Sequence, residues 1–196
     1  MHVPQHSPLS PSGTSLWTRR SILKGSLIGL CFLCRQLAWP RGVQAESLPE
    51  GRLTLYNQHT DERLTVTYRS PSGDYDSEAL SDLNWILRCH YTNQVTPIDL
   101  RVIEYLNAVE KRLGVGREVH IISGFRSREY NELLIQRGGG VAKESLHLSG
   151  KAVDIQIPGI PAAVVRQAAL DLQYGGVGYY PKSDFVHLDS GRFRWW

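Results

Sequence analysis

The chain has 196 residues, with 22 basic side chains against 19 acidic ones, a net charge of +3 and 41% hydrophobic residues. Residues 1–45 hold Arg19, Arg20, Lys24, Arg35 and Arg41 and no acid, and those five taken from 22 leave 17 basic residues against 19 acidic ones in residues 46–196. The basic balance is thus confined to residues 1–45, and nothing in the remainder suggests the positive stripe that electrostatic nucleic-acid binding requires, so nucleic acid is not expected as a partner.

In chain order, Thr18-Arg-Arg-Ser-Ile-Leu-Lys24 reads as a twin-arginine export signal. The apolar run over 25–34 that follows is too short for a membrane span, which needs ~20 residues. Val43-Gln-Ala45 before Glu46 suits signal-peptidase cleavage. The expectation is an export signal over 1–45, kept as an anchor only if uncleaved, and a periplasmic domain over 46–196 without stable membrane insertion. Cys31 and Cys34 fall in the leader, which leaves Cys89 alone and no intrachain disulfide. Cys89 lies among apolar positions and reads as a small core residue.

Residues 46–196 are enough for one ordinary domain. Leu53-Thr-Leu-Tyr-Asn57 and Leu64-Thr-Val-Thr-Tyr68 alternate apolar and polar residues, as an antiparallel hairpin does. Helical spacing over 77–90 and again over 99–113 predicts two helices, the second ending at Gly114. A strand over 118–123 runs into the Gly124-Phe-Arg-Ser127 turn, and Ser127 caps a helix to about Arg137. Gly138-Gly-Gly140 ends it in a loop. A strand over 152–157, a helix from about Pro161 to Leu172, and short strands over 176–180 and 185–189 complete the pattern. The fold class expected is α+β, a single domain with a central, mostly antiparallel sheet flanked by helices.

His147, Asp154 and His187 carry the chemistry. Two imidazoles and a carboxylate are the protein share of a catalytic zinc site, with a fourth position left open. Along 152–157 side chains alternate faces, so Ala152, Asp154 and Gln156 share one face. A carboxylate in the middle of an apolar strand is costly unless paired or metal-bound. His187 likewise shares its face with Phe185 and Asp189. Spacing alone leaves both a metal site and satisfied structural residues open, and His59, His90 and His120 are read as structural.

Ser145-x-His-x-x-Gly-x-Ala-x-Asp154, the late His187-x-Asp189 and Ser123-Gly-Phe-Arg-Ser127 closely resemble the zinc peptidases of peptidoglycan, the D-alanyl-D-alanine metallopeptidase superfamily that includes the hedgehog domain. With Gly175-Gly-Val-Gly-Tyr-Tyr-Pro181 and Trp195-Trp196 added, the chain looks most like murein endopeptidases of the MepK type. The resemblance implies Zn2+ held by His147, Asp154 and His187, and Arg126 binding a substrate carbonyl or carboxylate and stabilising the developing oxyanion. It also implies a general base at Asp184, three residues before the last histidine, with Asp189 as rival or as the partner orienting an imidazole. Tyr179 and Tyr180 either line the groove or pack as strand aromatics. The implied function is hydrolysis of peptide cross-links between stem peptides, diaminopimelate–diaminopimelate (3–3) bonds above all. The domain is expected to be a monomer. D,D- or L,D-carboxypeptidase activity and a non-catalytic zinc- or peptidoglycan-binding module are the alternatives.

Overall fold

Alternation along the first two apolar runs builds an antiparallel hairpin of β1 (Gly51–Asn57) and β2 (Glu62–Arg69), with Leu53 and Leu55 turned into the core. The computed structural model describes residues 50–138 and 140–196, so the expected export leader over 1–45 and Gly139 lie outside the described residues. Helix α1 (Ser77–Ile86) starts at Asp76, whose carboxylate accepts the Glu78 and Ala79 N–H groups at 2.9 and 3.2 Å. It stops at Ile86 instead of reaching His90, because the Leu87 carbonyl accepts the Phe125 N–H at 2.8 Å. A continuing helix would give that carbonyl to Tyr91.

Helix α2 (Leu100–Leu113) is capped by Asp99 and ends at Gly114, as the spacing predicts. It buries Val102, Ile103, Tyr105, Leu106 and Val109 against the sheet and α4 (Ala162–Leu172), where the Tyr105 hydroxyl donates to the Ala169 carbonyl at 3.0 Å. Pro161 takes the position before the first turn of α4 instead of a place within it. β3 (Glu118–Ser123) leads into α3 (Arg128–Gln136), whose first turn is closed by Ser127 Oγ accepting the Tyr130 N–H at 3.2 Å.

The remaining strands are β4 (Ala152–Gln156), β5 (Gly176–Tyr180), β6 (Phe185–Asp189) and β7 (Arg194–Trp195). β7 was not expected, since two residues cannot show an alternation. Together they form a mixed seven-stranded sheet in the order β2-β1-β3-β4-β6-β5-β7. Only β1–β3 and β5–β7 pair in parallel, so the α+β class and the mostly antiparallel sheet hold.

The sheet has unlike faces. Val119, Ile121, Val153, Ile155, Val177, Val186 and Leu188 join the core beneath α2 and α4. Period-two alternation then sends Asp154 and His187 to the opposite face. Register puts Ser123 opposite Asp154, Asp154 opposite His187, and His187 opposite Gly178, one row across β3, β4, β6 and β5. An irregularity between Ile121 and Ser123 brings Ser123 into that row. No helix among the described residues is long and apolar enough to cross a membrane.

Ile155 is fully buried on the core face of the strand that carries Asp154. Ile155→Ala is expected to lower unfolding free energy by about 2–5 kcal/mol, read from urea unfolding; a change below ~1 kcal/mol would contradict this packing.

Candidate metal centre

His147 stands in a single 3-10 turn, Leu146–Ser149, opened by Ser145 Oγ accepting the His147 N–H at 3.4 Å. Gly150 closes the turn at φ 65°, the left-handed region, so the chain doubles back and enters β4. His147 and Asp154, seven residues apart, therefore converge. The turn is tied to the segment after β3 by the Arg126 N–H, which donates to the His147 carbonyl at 3.1 Å.

Each imidazole is oriented from behind. His147 Nδ1 lies 2.7 Å from the Gly124 carbonyl, which only accepts, so Nδ1 carries the proton and Nε2 is left as a lone pair. His187 Nε2 lies 3.1 Å from Asp189 Oδ2, which fixes its proton there and leaves Nδ1 turned inward. The inward atoms form a tight triangle: His147 Nε2 to Asp154 Oδ1 is 3.2 Å, His187 Nδ1 to Asp154 Oδ1 2.9 Å, and His147 Nε2 to His187 Nδ1 3.1 Å. Ligand atoms around a tetrahedral zinc with bonds of about 2.0–2.1 Å stand roughly 3.3 Å apart. The donor set and its spacing fit such an ion, and this is the one group of its kind among the described residues.

Charge is balanced inside the site. His147, Asp154 and His187 are all buried. Burial would raise the Asp154 pKa, but His147, His187 and Arg126 outweigh it and hold the carboxyl far below the usual range. Burial pushes His147 down, with Asp154 offsetting only part of that. It also opposes a charge on His187, yet the hydrogen bonds to Asp154 and Asp189 win and raise its pKa.

Arg126 gives Nη2 to Asp154 Oδ2 and Nε to Ser123 Oγ at 2.8 Å. Its Nη1 takes no partner among the described residues, and Arg126 lines a cavity of about 360 Å³ over the trio. Asp189 is fully buried and saturated, with Oδ1 accepting Gly191 N–H at 2.8 Å and Arg194 Nη1 at 2.9 Å, and Oδ2 accepting Arg194 Nη2 at 2.8 Å besides His187. Burial would raise its pKa too, but His187 and Arg194 keep it well below the usual range.

Asp184 is exposed in the turn before β6, at φ 50°, and is absent from the cavity wall although Ser183 and Phe185 line it. Among the described residues, the carboxylates on that wall are Asp154 and Glu144. Tyr180 lines the cavity, whereas Tyr179 packs against the core. His120 bonds Gln58 and Glu118, and His59 stacks on His90 with ring centres 3.8 Å apart, both away from the trio. Sequence reasoning missed Glu144, Arg194 and the Gly124 carbonyl, for which no spacing signal exists: each contact joins segments remote in sequence or depends on a loop path.

The model of the peptidoglycan L,D-endopeptidase MepK family matches residues 46–196. The chain belongs to that family. Peptidoglycan L,D-endopeptidase MepK of Escherichia coli (strain K12) is 42% identical over 151 residues, covering 76% of this chain and 82% of the relative. The probable peptidoglycan L,D-endopeptidase MepK of Haemophilus influenzae is 38% identical over 177 residues, 89% of this chain and 91% of the relative. Membership in the MepK family makes the chain a peptidase of the D-alanyl-D-alanine metallopeptidase superfamily, and the buried trio is a group able to hold its metal.

Protons compete with a metal for imidazole, and a raised His187 pKa extends that competition above the ordinary value of about 6.5. Metal affinity is therefore expected to be at least roughly tenfold weaker at about pH 5.5 than at about pH 7.5. Calorimetric zinc titration checks this, and a pH-independent affinity would contradict it.

Proposed function

We propose that the chain is a zinc-dependent murein endopeptidase that hydrolyses peptide cross-links of peptidoglycan, with diaminopimelate–diaminopimelate (3–3) bonds as its main target. It acts as a monomer in the periplasm, after export directed by the twin-arginine signal over 1–45. The observation that carries this reading is the buried triangle of His147 Nε2, Asp154 Oδ1 and His187 Nδ1 beneath an open cavity, in a chain of this family. Both relatives are named L,D-endopeptidases, and a bond between two diaminopimelates joins an L to a D centre.

His147, Asp154 and His187 hold the metal. Bound there, zinc would supply Lewis-acid polarisation of the scissile carbonyl and acidify the attacking water towards a pKa of ~7. Arg126 uses Nη2 to keep Asp154 Oδ2 occupied, so Oδ1 faces inward, and offers Nη1 to the substrate carbonyl as negative charge develops there. Asp189 acts through His187 as a positioning residue, since its oxygens are already engaged. Two rim carboxylates compete to take the proton of the attacking water. Glu144 lines the cavity and is favoured over Asp184, whose turn stands beside it.

The test incubates the zinc-loaded full chain with defined cross-linked muropeptides and identifies the products by mass spectrometry. Conversion of 3–3 dimers to monomers is expected. Loss of one terminal residue would mean a carboxypeptidase instead, and tight zinc binding without turnover would mean a non-catalytic module. Glu144→Gln is expected to lower kcat about a hundredfold or more with zinc retained. If Asp184→Asn shows that loss and Glu144→Gln does not, the base is Asp184.

A further inference from the structure

The cavity over the trio has an aromatic side that the chemistry above does not use. Tyr180 and Phe185 stack with ring centres 4.4 Å apart and planes 15° from parallel. The Trp196 indole N–H donates to the Tyr180 hydroxyl at 3.1 Å, which joins the three rings into one surface. Trp196 lies with its ring centre 5.3 Å from that of His187, so the surface reaches the metal-facing residues. All three rings line the cavity.

The position of Trp196 is specified several times over. Its N–H donates to the Val177 carbonyl at 3.2 Å and its own carbonyl accepts the Tyr179 N–H at 3.0 Å, extending the β5–β7 pairing. The Arg194 guanidinium sits 5.0 Å over the ring while its two terminal nitrogens hold Asp189. Gly178, opposite His187 in the sheet, leaves room for the indole: a Cβ there would lie 2.8 Å from two ring carbons and 3.0 Å from His187 Cβ. A side chain held this firmly has already lost its conformational freedom, so a ligand that meets it forgoes little more.

Exposure does not distinguish Trp196. Trp195 is more exposed, at 60% against 48%, yet it leans on Phe193 and does not line the cavity. What sets Trp196 apart is the combination of cavity wall, anchorage and closeness to His187. A fixed, half-exposed aromatic face suits a hydrocarbon chain, which gives up apolar surface to water-free contact.

We propose that Trp196, backed by Tyr180 and Phe185, is a specificity residue that binds the unbranched alkyl side chain of the stem-peptide residue beside the scissile bond. Diaminopimelate, with several methylenes before its distal polar groups, has that chemistry. The proposal rests on the endopeptidase reading above and adds to it the group that selects the substrate.

The test compares the zinc-loaded full chain with Trp196→Ala, Trp196→Phe and Trp195→Ala on defined cross-linked muropeptides. Zinc content is measured for each, and a stem tetrapeptide is titrated into each by calorimetry. Trp196→Ala is expected to lose roughly ten- to a hundredfold in kcat/KM, mainly through KM, with zinc content unchanged. Trp196→Phe recovers much of that loss, and Trp195→Ala matches the parent chain. Unchanged KM in Trp196→Ala, or a loss that follows zinc content, would overturn the proposal. If the parent chain cleaves no cross-link, the endopeptidase reading falls and the titration decides on Trp196 separately. Weaker tetrapeptide binding by Trp196→Ala then supports the aromatic contact, and equal affinity refutes it.

Discussion

Asp154 is 2% exposed in the middle of an apolar strand, and a carboxylate taken out of water there has to be matched by positive charge that stays in place. Three side chains meet it: Arg126 as a donor, and His147 and His187 with inward lone pairs that could share a metal ion with it. β6 pairs with β4 in a register that sets His187 directly opposite, the left-handed turn at Gly150 returns His147, and the segment after β3 delivers Arg126. Each of the three comes from a different part of the chain, so the site exists only once the sheet, the 3-10 turn and the loop after β3 are all assembled. Removing Arg126 would leave the buried carboxylate without its ion-pair partner, which is strongly destabilising.

Around this charge lies a shell that decides which atoms face inward. The Gly124 carbonyl holds His147 by Nδ1, and Asp189 holds His187 by Nε2, so opposite ring nitrogens are presented to the metal position. Asp189 is itself fixed by both terminal nitrogens of Arg194 and by the Gly191 N–H. Arg194 also covers the Trp196 ring. Arg194 therefore joins the carboxylate behind His187 to the aromatic side of the cavity.

Much of this was legible beforehand because it is periodic or local. Alternation in β4 and β6 placed Asp154 and His187 on the polar face, and Ser127 and Gly114 marked helix ends. What could not be read was set by contacts between remote segments or by the path of a turn or loop. The end of α1 depends on Phe125 reaching Leu87, the role of Asp189 depends on Arg194, and the cavity position of Glu144 depends on how its loop folds over α3. For Asp184 the motif gives a spacing but not the surroundings. Its spacing from His187 fits the resemblance, yet its backbone is left-handed and its side chain is exposed outside the cavity wall.

The geometry calls for one metal held by His147 Nε2, Asp154 Oδ1 and His187 Nδ1, with Asp189 behind the second imidazole. The most direct measurement is a crystal structure of the zinc-loaded chain with anomalous data at the zinc edge. A single strong site bonded to those three atoms at about 2.0–2.2 Å is expected, with His187 Nε2 still on Asp189. An ion bonded through His187 Nε2, or zinc bound away from the trio, would contradict it.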